Sequence, residues 1–140
     1  MRFENRSFSD IFPEGCPPEE ANHEKIKVYR MVKDKVLTEE DFKSHVELGL
    51  SYRPTKNPPF GEYGVSVNPN SQELINYAKS VPYLRRTFKY IAGGYTYICT
   101  GVVCSVGSRN QPSHHNWWLY KQATPHKYFK IEGGEICNGE

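Results

Sequence analysis

Apolar and polar residues first alternate with strand spacing over 26–32, where Ile26, Val28 and Arg30 fall on one side and Lys27, Tyr29 and Met31 on the other. The alternation is imperfect, as suits a strand covered in places on both faces. Thr38-Glu39-Glu40-Asp41 then has the form of a helix start. The Thr38 hydroxyl can accept a backbone N–H, Asp41 can reciprocate, and the acidic first turn suits the positive helix end. With Phe42, Val46, His45 and Leu50 supplying the inner side and Gly49 as a left-handed terminator, the pattern predicts a helix over 39–48. Residues 51–63 carry Pro54, Pro58, Pro59 and Gly61 and read as a loop leading into a short strand over 63–67.

Helical spacing returns at Leu74, Ile75, Ala78 and Val81, with Asn70 or Ser71 as cap and Pro82 near the expected end. Residues 84–91 have half-buried strand character, Gly93-Gly94 predicts a turn, and 95–106 is the longest β-prone run, one bulged strand or two. A polar loop over 107–112 precedes Ser113-His114-His115-Asn116-Trp117-Trp118-Leu119-Tyr120; a turn over 122–126 and a terminal strand over 128–131 follow. The tail over 133–140 is expected to fray. Residues 1–25 lack periodicity and predict an irregular arm, whose Phe3, Phe8, Ile11 and Phe12 can strap onto the domain. The order β-α-β-α-β-β-β-β over 26–132 predicts a single α+β domain with an antiparallel or mixed sheet of about five to six strands and two main helices, not a doubly wound parallel fold.

Composition narrows this further. A length of 140 residues fits one core, and with 37% apolar residues, ten tyrosines and seven phenylalanines that core leans on aromatics. A formal charge of +2 is too near balance to point to nucleic acid or a membrane by bulk electrostatics. No apolar run is long enough to cross a bilayer and the first residues lack a secretory pattern, so a cytoplasmic protein is expected. Cys16, Cys99, Cys104 and Cys137 include no Cys-x-x-Cys pair and are read as free thiols.

The chemistry concentrates at 113–120, which holds both tryptophans and two of the five histidines. On an extended backbone His114 and Asn116 share one face and His115 and Trp117 the other, so the two imidazoles do not converge on one metal without a bend. No metal site is expected. Imidazole beside indole suits a nucleotide or other planar heterocycle; the alternative is that the tryptophans simply pack on opposite faces of the sheet. The nearby serines lack a nucleophile elbow, Cys104 reads as an inert buried thiol, and no phosphate-binding glycine loop is present. Arg85, Arg86 and Lys89 form the best anion-contact cluster, with Tyr83 or Tyr90 beside them.

The succession Val28-Tyr29-Arg30-Met31-Val32, Glu40-Asp41-Phe42-Lys43-Ser44, Tyr63-Gly64-Val65-Ser66-Val67 and Ser113-His114-His115-Asn116-Trp117-Trp118 resembles a group of small uncharacterised bacterial proteins over about residues 26–122. A more distant resemblance is to ADP-ribosyltransferase-like domains of the arginine-serine-glutamate type, with Arg30 and Ser66 matching the first two and Glu132 or Glu135 the third. That resemblance implies NAD as cofactor, positioned by the arginine, supported by the serine and engaged at its ribose by the glutamate. Two functional expectations follow. One is a cofactor-free interaction or accessory module of a bacterial defence or toxin-related system, whose loops over 51–63 and 107–115 contact another protein. The other is a nucleotide-binding domain or NAD-using enzyme with a pocket formed by Tyr29, Arg30, Ser66, His114, His115 and Trp117. The first is preferred, because no reagent set stands at catalytic spacing.

Overall fold

Six strands pair into two antiparallel sheets in the computed structural model, which describes residues 6–137. Strands β1 (Lys27–Val32), β3 (Tyr90–Tyr95) and β6 (Lys130–Glu132) form one sheet in the order β1-β3-β6. Strands β2 (Val65–Val67), β4 (Gly101–Ser105) and β5 (His115–Leu119) form the other in the order β2-β5-β4. The expected α+β class is found, with the strands split between two sheets and three helices instead of two. The sheets meet at a bridge in which the Tyr29 N–H donates to the Asn68 carbonyl at 2.8 Å and the Asn68 N–H donates back at 3.0 Å.

The core lies between the sheets. Val28 and Val32 of β1, Val65 and Val67 of β2 and Val103 of β4 close around Trp117 and Phe129, whose rings stack at 5.7 Å, while Phe42 meets Phe129 edge-on at 4.9 Å. Antiparallel register explains why the two tryptophans part company. Trp117 lies opposite Val65 and Val103 and faces this core, so Trp118 faces the outer side. There it is also 0% exposed, because residues 60–64 cross over it: its Nε1–H donates to the Phe60 carbonyl at 2.9 Å and Gly64 lies against the indole.

Several local expectations are corrected. The helix over 39–48 divides into a 3-10 turn (Glu39–Phe42) and α1 (His45–Leu48). A second capping box, Ser44 with Glu47, starts immediately after the first, Thr38 with Asp41, and the extended backbone at Lys43 and Ser44 separates them. Residues 84–87 are not strand: helix α2 (Ser71–Ser80), capped by Asn70, is followed by α3 (Pro82–Thr87), with Pro82 at its first position, where a missing N–H costs nothing. Gly93 and Gly94 lie inside β3 instead of in a turn. A side chain at Gly94 would run into the Phe129 ring, and one at Gly93 into the Glu132 carboxylate, so both glycines serve close approach. The 95–106 run breaks at a turn closed by Thr100 N–H to the Tyr97 carbonyl at 2.8 Å.

In the arm, Phe8 stacks on Tyr120 at 4.6 Å and Phe12 meets Tyr63 edge-on at 5.9 Å, but Ile11 is exposed; Phe3 lies outside the described residues. The expected fraying does not extend to 133–137, where Ile136 is buried with Leu74, Ala78 and Ile91 and its N–H donates to the Lys89 carbonyl at 2.8 Å. Residues 138–140 lie outside the described residues. Because both indoles are fully enclosed, Trp117→Ala and Trp118→Ala are each expected to cost about 3–5 kcal/mol, measured by urea unfolding. A loss near zero at Trp118 would show that the crossing segment does not seal it.

Candidate functional site

A cleft of about 420 Å³ opens where the edge of β1 meets β2. Arg30 shapes its wall. It lies on the Val28 and Val32 side of β1, and its Nε–H donates to the Asp41 carbonyl at 2.6 Å and its Nη1–H to the Ser66 carbonyl at 2.7 Å. These bonds draw the 39–42 turn and β2 against β1. Burial pulls the guanidinium down to about 10, against the attraction of Asp41, so it remains cationic at neutral pH.

The side chain of Ser66 is exposed into the cleft because its neighbours Val65 and Val67 take the core face of β2. Register places Asn116, and by alternation His114, on this same outer side of the sheet. His114 accordingly borders the cleft together with His45, the first residue of α1. Burial lowers the His114 pKa below its ordinary 6.5, a hydrogen bond to the Val106 carbonyl opposes this, and nearby His115 and Arg30 depress it further. The imidazole is therefore neutral at pH 7, and with its N–H given to the Val106 carbonyl its other ring nitrogen is left as an acceptor.

The loop carrying His114 is anchored from below by groups that sequence reading passed over. Asn68 is fully buried, and its Nδ2 donates to the Glu73 carboxylate at 3.0 Å and to Gln111 Oε1 at 3.1 Å, while its Oδ1 accepts from the Asn70 N–H at 2.8 Å. The same Glu73 oxygen accepts from the Ser113 N–H at 2.7 Å. Burial pushes the Glu73 carboxyl up, but the hydrogen bonds from Ser113 and Asn68, with His114 nearby, outweigh it and hold the pKa below the ordinary 4.5. Its long-range bonds leave no local mark, since Asn68 meets Gln111 43 residues on and Glu73 meets Ser113 40 residues on.

A second chamber of about 370 Å³ adjoins the first and shares His45, Gly61, Glu62, Ser66 and His114 with it. Its outer rim is formed by Tyr52, Arg53, Thr55 and Asn57. Glu62 ties that rim down, accepting from the Thr55 N–H at 3.1 Å, while Thr55 Oγ1 accepts from the Gly61 N–H at 2.7 Å. The lining of the first chamber also includes the apolar Met31, Leu74, Leu84 and Phe88, with Tyr77. It thus combines apolar walls that suit a flat ring with groups that suit a hydroxylated or anionic part.

Arg30, Ser66 and His114 converge; the other three pocket candidates do not join them. Trp117 is sealed in the core, His115 turns its Nδ1 to the Ser113 carbonyl at 2.8 Å on the opposite face, and Tyr29 packs on the far side of β1. Arg85, Arg86 and Lys89 stand at the end of α3 and just beyond it, outside the lining of either chamber, and Arg85 Nη1–H donates to the Lys79 carbonyl at 2.8 Å. Glu132 is paired with Lys27 at 3.3 Å in a different cleft, and Glu135 lies 3.4 Å from the Tyr90 hydroxyl. The carboxylate that borders both chambers is Glu62. Burial, with Glu62 nearby, pushes the Cys16 thiol up to about 12, and burial also raises Cys104, so both stay protonated. Among the described residues no set of three or more His, Cys, Asp or Glu is placed to hold a metal, and no helix is long and apolar enough to cross a membrane. No model of a known protein family matches the chain, and neither a curated protein nor a solved structure matches it.

The lowered His114 pKa makes stability depend on pH in a definite direction. As pH falls through the ordinary value of 6.5, the unfolded chain takes up this proton before the folded one does, so stability is full above that value and declines below it. The depressed Glu73 pKa acts the same way only at lower pH, since its ordinary value is 4.5. Unfolding free energy measured at about pH 7.5 and about pH 5.5 is expected to fall on acidification, and less so in His114→Asn. An equal fall in the two proteins would contradict this assignment.

Proposed function

We propose that the chain is a binding domain for a small nucleotide-class ligand, one flat ring joined to a hydroxylated, anionic part. The supporting observation is convergence: Arg30 from β1, His45 from α1, Ser66 from β2 and His114 from the segment before β5 line one cleft together with the rings of Tyr77 and Phe88. A cleft of about 420 Å³ is within the range of small-molecule sites, which typically combine apolar walls with a few converging polar groups. The ring would lie against Tyr77 and Phe88. The anionic part would face Arg30 and Lys43, with neutral His114 and the Ser66 hydroxyl available to sugar hydroxyls.

The adjoining chamber leaves room for a longer ligand of the dinucleotide type, NAD included. Neither Glu132 nor Glu135, the two glutamates that the transferase resemblance offers, lines either chamber, so what is proposed is binding, with no transfer step attached. The cofactor-free interaction module is supported by one observation as well: the loop over 51–57 and residues of the 107–113 loop border the same chambers, and Leu50 and Tyr52 are exposed there. A protein partner docking through those loops would cover the ligand cleft, making the two kinds of binding mutually exclusive.

Calorimetric titration with AMP, ADP-ribose and NAD tests the reading. Saturable binding of at least one is expected, lost in Ser66→Tyr, which fills the cleft from an exposed position on β2, and weakened about tenfold in His114→Ala. Both variants are checked for an unchanged fold by thermal melting. Flat titrations with all three compounds, or binding that Ser66→Tyr leaves intact, would overturn it.

A further inference from the structure

The outer face of the β1-β3-β6 sheet is covered at one end only. Met31 and Ile91, opposite one another in register, pack under Leu74 and Ala78 of α2 and under Ile136. Toward the other end Tyr29 and Lys130 both lie opposite Gly93, and Lys27 lies opposite Tyr95. A cleft of about 410 Å³ opens here, on the face of β1 opposite to Arg30. Its borders carry three exposed tyrosines from two parts of the chain, Tyr95, Tyr97 and Tyr128, at 41%, 39% and 64% exposure.

Lysines stand over Tyr95 and Tyr97 and over neighbouring Tyr29. The Lys25 ammonium is 5.3 Å from the Tyr95 centroid and 5.5 Å from that of Tyr97, and Lys27 is 5.5 Å from Tyr95 and 5.6 Å from Tyr29. Lys27 also pairs with Glu132 at 3.3 Å, across the space that the missing Gly93 side chain leaves. The cleft lining holds Lys27, Lys130 and Glu132, and Lys25 stands beside it over Tyr95 and Tyr97, so the patch is locally positive although the chain as a whole is near balance at +2.

We propose that this surface binds single-stranded nucleic acid. Unpaired bases stack on the exposed tyrosine rings, and the phosphates between them meet Lys25, Lys27 and Lys130. A sheet face with aromatic rings spaced among cations is suited to single strands because their bases are free to stack, whereas a duplex keeps its rings turned inward. An acidic protein segment would use the lysines and leave the flat rings without a role.

Fluorescence anisotropy of labelled oligo-U and oligo-dT of about 12 nucleotides, titrated with the full chain at low salt, is the test. Binding of at least one is expected, with a salt slope of about −2 from three lysine contacts. Tyr95→Ala with Tyr128→Ala is expected to weaken it about tenfold or more at unchanged Tm, while Phe at both positions, which keeps the rings, retains it. No anisotropy change at low salt would overturn the proposal, as would full binding by the double alanine variant. Equal competition by a duplex of the same length or by polyglutamate would overturn it too.

Discussion

The double hydrogen bond of Arg30 ties the two sheets and the 39–42 turn together on the cleft side. β1 is the edge of its sheet, and a single guanidinium reaches from it to two carbonyls, Asp41 at 2.6 Å and Ser66 at 2.7 Å. Charged donors make short, strong bonds to carbonyls, and here they also offset the cost of burying the cation. The consequence is geometric. The 39–42 turn, and with it the start of α1, is brought to the same edge as β2, so that His45 and Ser66 border one space. An apolar residue at position 30 could fill the volume but could not satisfy both carbonyls, and the two sheets would lose their tie on the cleft side.

Asn68 does on the adjacent side what Arg30 does at the edge. Its backbone pairs with Tyr29 and its side-chain amide joins Glu73, Gln111 and Asn70, so a buried polar residue has its groups satisfied and fixes the loop that presents His114. The opposite rim is held more lightly: residues 51–57 are exposed and reach the cleft through Thr55, Gly61 and Glu62. The cleft thus has one wall set by the sheets and another set by an exposed loop, an arrangement in which the loop can adapt while the sheet wall stays in place.

Much of this was legible in the chain, and the failures share a cause. Strand alternation alone separates His114 and Asn116 from His115 and Trp117, and the register of β5 with β2 gives that same division. It does not say which side is open, because that depends on residues 60–64 crossing over Trp118 and on Val65 and Val103 flanking Trp117. The expected pocket therefore takes in His115 and Trp117, which face inward, and leaves out His45 and Glu62, which border the cleft. Gly93-Gly94 resembles a turn until Phe129 and Glu132, more than thirty residues away in sequence, are known to press on it. Pro82 ends one helix and opens another, and periodicity cannot separate those roles over so few residues. Caps at Thr38 and Asn70 were readable because their partners lie three residues away.

Convergence of Arg30, His45, Ser66 and His114 on a ligand is the point on which the functional reading rests. An amide NMR titration of the isotope-labelled chain with ADP-ribose addresses it directly. The expected result is saturable shift changes at His45, Glu62, Ser66 and His114, with Tyr95 and Tyr128 on the far sheet face unmoved. Shifts confined to other surfaces, or none with ADP-ribose, AMP or NAD, would contradict it.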